Sequence, residues 1–161
     1  GRFALEFIRR DTRVAGFWGC YSDAALTNGI SATSDAYINV AAGHITGTSD
    51  DGLNSADSIT FRSATGSGSL VTAGMSGTGA GVTVESVGSL SPGAAVLISD
   101  CENGDLFQVT GISGETLAHA AAADANTSPD LSKAYAAGAN VSAYDELPCD
   151  ILRAASIPCY A

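Results

Sequence analysis

Four cysteines, two histidines, a small acidic cluster and a knot of arginines are the residues of this 161-residue chain whose chemistry could define a site. Cys20, Cys101, Cys149 and Cys159 include no C-x-x-C pair, the close spacing that zinc sites and dithiol redox motifs require. An even number without that spacing fits two disulfides in an exported protein, with free buried thiols as the plainer alternative. His44 and His119 have no i+4 partner of the H-E-x-x-H kind, and no G-x-S-x-G elbow accompanies the many serines. Gly77, Gly79 and Gly81 imitate a dinucleotide loop, yet Val82 stands where the third glycine belongs, and Lys133 is not in the Gly-Lys pair of a phosphate loop. Asp50, Asp51, Asn54 and Asp57 offer oxygen ligands for calcium, but without EF-hand spacing, and a solvated turn explains them as well. These patterns point away from an enzyme, and no cofactor is expected.

Arg9, Arg10 and Arg13 belong to the segment that reads best as a helix, Gly1 to Val14. Phe3, Phe7 and Val14, with Ala4 and Ile8 beside them, recur at i, i+4 and i+11 on one face of a helix, while Glu6 and the arginines point elsewhere. The arginines are then either the solvated face of an amphipathic helix or a contact for lipid headgroups or acidic subunits. The helix is expected to end near Gly16 and Gly19, with Phe17 and Trp18 turning into the core. After Cys20 the helical period is lost. Ala36–Val40 and Ser58–Arg62 read as strands, and Ser63–Gly81, rich in Gly, Ser and Thr, reads as a flexible loop or weak strands. The apolar run Ala94–Ile98 after Ser91-Pro92-Gly93 predicts a buried strand, with Leu106–Thr110 as its hairpin partner. Leu117–Ala125 is a short helix or loop, and Asn140–Tyr144 a last strand. Tyr21, Tyr37, Tyr135 and Tyr144 are too scattered to define a glycan surface and read as core or rim tyrosines.

The size suits one domain, and 45% hydrophobic residues with a mean hydropathy of +0.18 argue against disorder. Alanine, glycine, serine and threonine make up about half of the chain, which favours strands and loops over a helical bundle. Seven Lys+Arg against 17 Asp+Glu give a net charge of −10, a field that repels phosphate, so no nucleic-acid partner is expected. No apolar run reaches the ~20 residues needed to span a bilayer. An exported-looking chain without an export signal suggests that a preceding segment is missing.

The order Gly1-Arg-Phe-Ala-Leu-Glu-Phe-Ile-Arg-Arg-Asp-Thr-Arg-Val-Ala-Gly-Phe-Trp-Gly-Cys20 resembles the segment after the membrane half of the N-terminal helix in PilW-type minor pilins of type IV pili. Gly93 to Thr110 is similar to the same family's later strand pair, and Ser55 to Arg62, more weakly, to the strand between. The tail after Tyr144 departs from the family pattern. The resemblance implies an α+β, pilin-like fold, with an N-terminal amphipathic helix packed on a mostly antiparallel sheet with long loops. One domain over 1–161 would comprise the helix at 1–16, sheet and loops at 17–148, and a disulfide-bounded loop at 149–161.

By the same resemblance, Phe3, Phe7, Ile8 and Trp18 would pack helix against sheet, and Arg9, Arg10 and Arg13 would meet neighbouring subunits. Cys20–Cys101 and Cys149–Cys159 are the implied disulfides. The implied role is assembly of the pilus in a tip-associated minor pilin complex. Its partners would be other minor pilins, the major pilin and a large tip adhesin, with the inner membrane reached through the missing helix. The protein would face the periplasm before assembly and lie in the extracellular pilus afterwards. A type II secretion pseudopilin and a secreted adhesive or carbohydrate-binding domain are the alternatives.

Overall fold

The computed structural model describes residues 2–17, 25–50 and 55–151. Among these residues one α-helix, α1 (Arg2–Val14), is followed by nine strands: β1 (Ala25–Asn28), β2 (Ile45–Thr48), β3 (Asp57–Ala73), β4 (Val82–Val84), β5 (Ala95–Ser99), β6 (Asn103–Gln108), β7 (Gly111–Ser113), β8 (Thr116–Ala118) and β9 (Asn140–Ile151). The strands hydrogen-bond in the order β1-β6-β5-β9-β3-β4-β8-β7, with β2 on β3. The sheet is mixed, because β1 runs parallel to β6. The expected α+β pilin-like arrangement, a long N-terminal helix laid on a sheet, is therefore corrected to a predominantly β fold with one 13-residue helix. The physical reason lies in the chain after Gly16: small and β-branched residues in short runs bury themselves by pairing strands, and no second stretch keeps a helical period.

The chain divides into two compact units, with β3 and β9 contributing residues to both. Among described residues, the first unit holds 2–17, 39–50, 55–63 and 145–151. In it β2 pairs antiparallel with the start of β3, from Ile45 opposite Phe61 to Thr48 opposite Ser58. The second unit holds 25–38 and 64–144, and its core gathers Val71, Val82, Val96, Ile98, Phe107 and Val141. Each such side chain stabilises by roughly 1.5–3 kcal/mol when fully buried. β5 is central, paired antiparallel to β6 on one edge and β9 on the other. That position explains why its sequence is a continuous apolar run rather than an alternating one.

Local readings met mixed outcomes. The buried strand and its hairpin partner are present as β5 and β6, joined by the turn at Asp100–Glu102. Ala36–Val40 is not a strand: turns lead into a 3₁₀ helix at Val40–Ala42, begun by Ser34, whose hydroxyl accepts the Ala36 N–H. The first part of the Ser63–Gly81 stretch is strand, since β3 runs on to Ala73. Leu117 lies in β8 rather than in a helix. β9 continues from Asn140 to Ile151, through the expected boundary at 148–149.

Candidate functional site

In the first unit the polar chemistry converges on Arg62. Its side chain is buried, and a buried charge is tolerated only when paired and hydrogen-bonded. Arg62 Nε donates to the Glu146 carboxylate of β9, and Nη1 donates to the Gly43 carbonyl and the Thr46 hydroxyl, both at 3.1 Å. The backbone is engaged as well. Arg62 N–H donates to the His44 carbonyl, and the Arg62 carbonyl accepts the Gly16 N–H, each at 2.9 Å. Gly16, at φ 78°, ends α1 in the left-handed conformation that glycine takes most easily. A Cβ at Gly16 would stand 2.9 Å from the His44 ring. Arg62 thus ties together the end of α1, the approach to β2, and the strands β3 and β9 within this unit.

In the second unit a clamp forms on the β5–β6 hairpin. Asp105, 2% exposed, accepts Tyr135 Oη at 2.6 Å, Ser132 Oγ at 2.6 Å and Ser132 N–H at 3.0 Å. Burial, together with the bond to Asp105 and its charge, pushes the Tyr135 phenol well above the ordinary tyrosine range, so it stays a neutral donor. In the turn, Asp100 Oδ1 accepts the N–H of Glu102 and of Asn103, which caps the hairpin with an Asx turn. Lys133 Nζ donates to Asp100 Oδ2 and lies 5.7 Å from the centre of the Tyr135 ring. Partial burial works against charge on Asp100, but the bonds from Lys133, Asn103 and Glu102 outweigh it and hold the carboxyl below its ordinary value. The Asp100 bond holds Lys133 above its own. An open cleft of about 420 Å³ adjoins this clamp, lined by Ser99–Cys101 and Ala136–Asn140. Asp100, already paired with Lys133, is its charged side chain.

His44 belongs to the first unit and His119 to the second. His119 is buried; its Nε2 donates to the Ala80 carbonyl at 2.8 Å, and its ring meets Phe107 with 5.2 Å between centroids. A carbonyl can only accept, so Nε2 carries the proton in this arrangement. Of the proposed calcium ligands, Asp51 and Asn54 lie outside the described residues, and Asp57 Oδ1 accepts the Asp50 N–H at 3.3 Å. Among described residues no group of three His, Cys, Asp or Glu is placed to hold a metal.

Arg9, Arg10 and Arg13 are exposed on α1, Arg9 paired with Glu6. Ile8 is half-buried, whereas the side chains of Phe3 and Phe7, and Trp18 altogether, lie outside the described set. Cys101 is disulfide-bonded and sits at φ 73° in the exposed hairpin turn. Cys20, Cys159 and the Cys149 side chain lie outside the described set, so the implied pairings Cys20–Cys101 and Cys149–Cys159 do too. No family model, curated protein or solved structure matches the chain. Sequence reading missed both polar centres. The available signal was an arginine inside an alternating strand, and an aspartate three residues after the Asp100–Glu102 turn, directly before Leu106 and Phe107.

Proposed function

We propose that this chain is a structural subunit, a minor pilin of a type IV pilus, that works by assembling with other pilins rather than by catalysis. The observation that carries the reading is the block Gly1–Cys20, whose ordering of apolar residues and arginines resembles that of PilW-type minor pilins. The reading rests on that block and not on a pilin-like fold, which the nine-strand arrangement replaces. Two features of the first unit are consistent with an assembly role. Arg9, Arg10 and Arg13 are solvent-facing, and the end of α1 is bonded to β3 through Gly16 and Arg62, so a force on the helix reaches the strand. The expected partners are other minor pilins, the major pilin and a tip adhesin, met at the inner membrane on its periplasmic face and then in the pilus tip.

Deleting the gene in a piliated host tests this. Surface pili, counted by electron microscopy, should fall to near absence while cellular major pilin persists, and a plasmid copy should restore them. Undiminished piliation in the deletion strain would sink the proposal.

A further inference from the structure

Strand β2 lies at an edge of the first unit's strands. It pairs with β3 on one side, and among the described residues no strand pairs with it on the other. The ladder fixes which of its backbone groups look outward. Arg62 N–H donates to the His44 carbonyl, and His44 stands opposite Arg62 in the same register that sets Ile45 opposite Phe61. Hydrogen-bonded pairs alternate with non-bonded ones in an antiparallel ladder. Thr46 and Thr48 therefore turn their N–H and C=O groups to β3, while Ile45 and Gly47 turn theirs away from it. Ile45 is 44% exposed, and Gly47 is exposed as well. The free edge thus presents the backbone N–H and C=O of both residues.

The composition of β2 leaves that edge open. Ile45, Thr46, Gly47 and Thr48 include no lysine and no proline, and the register with β3 runs without a bulge, so the usual protections of a solvent-facing edge are missing. The edge is apolar at its start and acidic past its end. Ile45 shares a face with its cross-strand partner Phe61, which is buried, so apolar surface runs from Phe61 out to the edge. Past Thr48 the exposed Asp50 and Asp57 adjoin, the Asp57 carboxylate accepting the Asp50 N–H. The buried Arg62 is already paired with Glu146.

We infer that β2 receives an extended, basic segment of a partner protein as an added antiparallel strand. The backbone of the incoming strand exchanges hydrogen bonds with Ile45 and Gly47, the groups that β3 leaves unused. An apolar side chain opposite Ile45 continues the surface that begins at Phe61, and a lysine or arginine nearer the segment's N-terminus meets Asp50 and Asp57. Charge selects this occupant. The net charge of −10 and the two carboxylates beside the edge favour a basic strand, and they disfavour a second copy of this chain, equally acidic and uncharged along its own β2. The inference rests on β2 and its flanks and does not depend on the pilin reading.

Amide exchange of the full chain, followed by NMR, tests it with the end-blocked peptide Lys-Thr-Thr-Thr-Val-Thr as the probe. Without peptide, Ile45 and Gly47 should exchange faster than Thr46 and Thr48. The peptide should slow Ile45 and Gly47 selectively, with half-saturation below about 1 mM. Replacing its lysine by glutamate should weaken binding at least about twofold. Gly47→Pro removes an N–H that β3 does not use, a change that edge strands tolerate, and a Cβ there meets only the Ser58 carbonyl at 3.6 Å. It should weaken peptide binding at least about tenfold. Circular dichroism checks the fold, and Ile45→Lys serves if the proline variant is unfolded, with the same weakening expected. No protection at about 1 mM peptide, indifference to the peptide's lysine, or unchanged binding by the folded variant would each overturn the inference. Protection of Ile45 and Gly47 that grows with protein concentration and needs no peptide would overturn it in favour of a second copy.

Discussion

Asp105 and Tyr135 show how a single buried pair organises a loop. The carboxylate is enclosed, and three donors from the 132–135 segment satisfy it, so that segment is tied to β6. Tyr135→Phe keeps the ring and removes one donor, and should lower the unfolding free energy by about 1–3 kcal/mol, measured by urea denaturation. The neighbouring Lys133–Asp100 pair predicts a pH profile. Asp100 is held below its ordinary 3.8, so its contribution is complete above that value and disappears as pH falls through the lower folded value. Lys133 is held above its ordinary 10.5, so its contribution is complete below that value and disappears as pH rises through the higher folded one. The stability difference between wild type and Lys133→Met should therefore be level in between and shrink at both extremes. Urea titrations across pH check this, and a difference that persists at either extreme would contradict it.

At the scale of elements, β3 shows what glycine does inside a strand. Gly66 and Gly68 both adopt left-handed φ, at 77° and 69°, but Gly66 is exposed and Gly68 half-buried. A Cβ on Gly66 would meet nothing within 4 Å, whereas one on Gly68 would come to 2.7 Å of Asn140 Nδ2 and 2.8 Å of Ser142 Oγ. Gly66→Ala should therefore cost only the backbone term, about 1–2 kcal/mol. Gly68→Ala should cost more, because the Asn140 and Ser142 side chains of β9, bonded to each other, must also move; thermal unfolding of the two variants decides the order. Gly16→Ala places the same left-handed penalty at the end of α1 and adds the contact with the His44 ring. Its predicted signature is faster amide exchange at Arg62, whose N–H bonds to the His44 carbonyl. These elements were unevenly legible. The Ala94–Ile98 run announced β5 because a strand covered on both faces needs apolar residues at consecutive positions. The Ser63–Ala73 stretch concealed the rest of β3. Its serines, threonines and glycines carry no burial pattern, and its strand conformation comes from bonds to neighbours such as Ala139 and Leu70's partner Glu85.

For the whole molecule, protection against exchange should follow the strand order. Within the second unit the amides of β5 and β6 should exchange slowest, since their bonds lie between paired strands over a buried core, and those of 120–125 fastest, as that segment is largely exposed. The charge distribution and the local signals were matters of sequence alone. Arginines crowd one end of an acidic chain, a glycine stands where α1 stops, and an apolar run marks the central strand. Each is encoded in residue identity or short-range spacing. Only the tertiary structure decided that the fold is a mixed nine-strand sheet, that Arg62 meets Gly43, Thr46 and Glu146, and that Asp105 meets Tyr135. The reason is physical. Periodicity specifies which faces seek burial, but the partner of a strand or a buried charge depends on how distant segments pair together, and that choice is made by the chain as a whole.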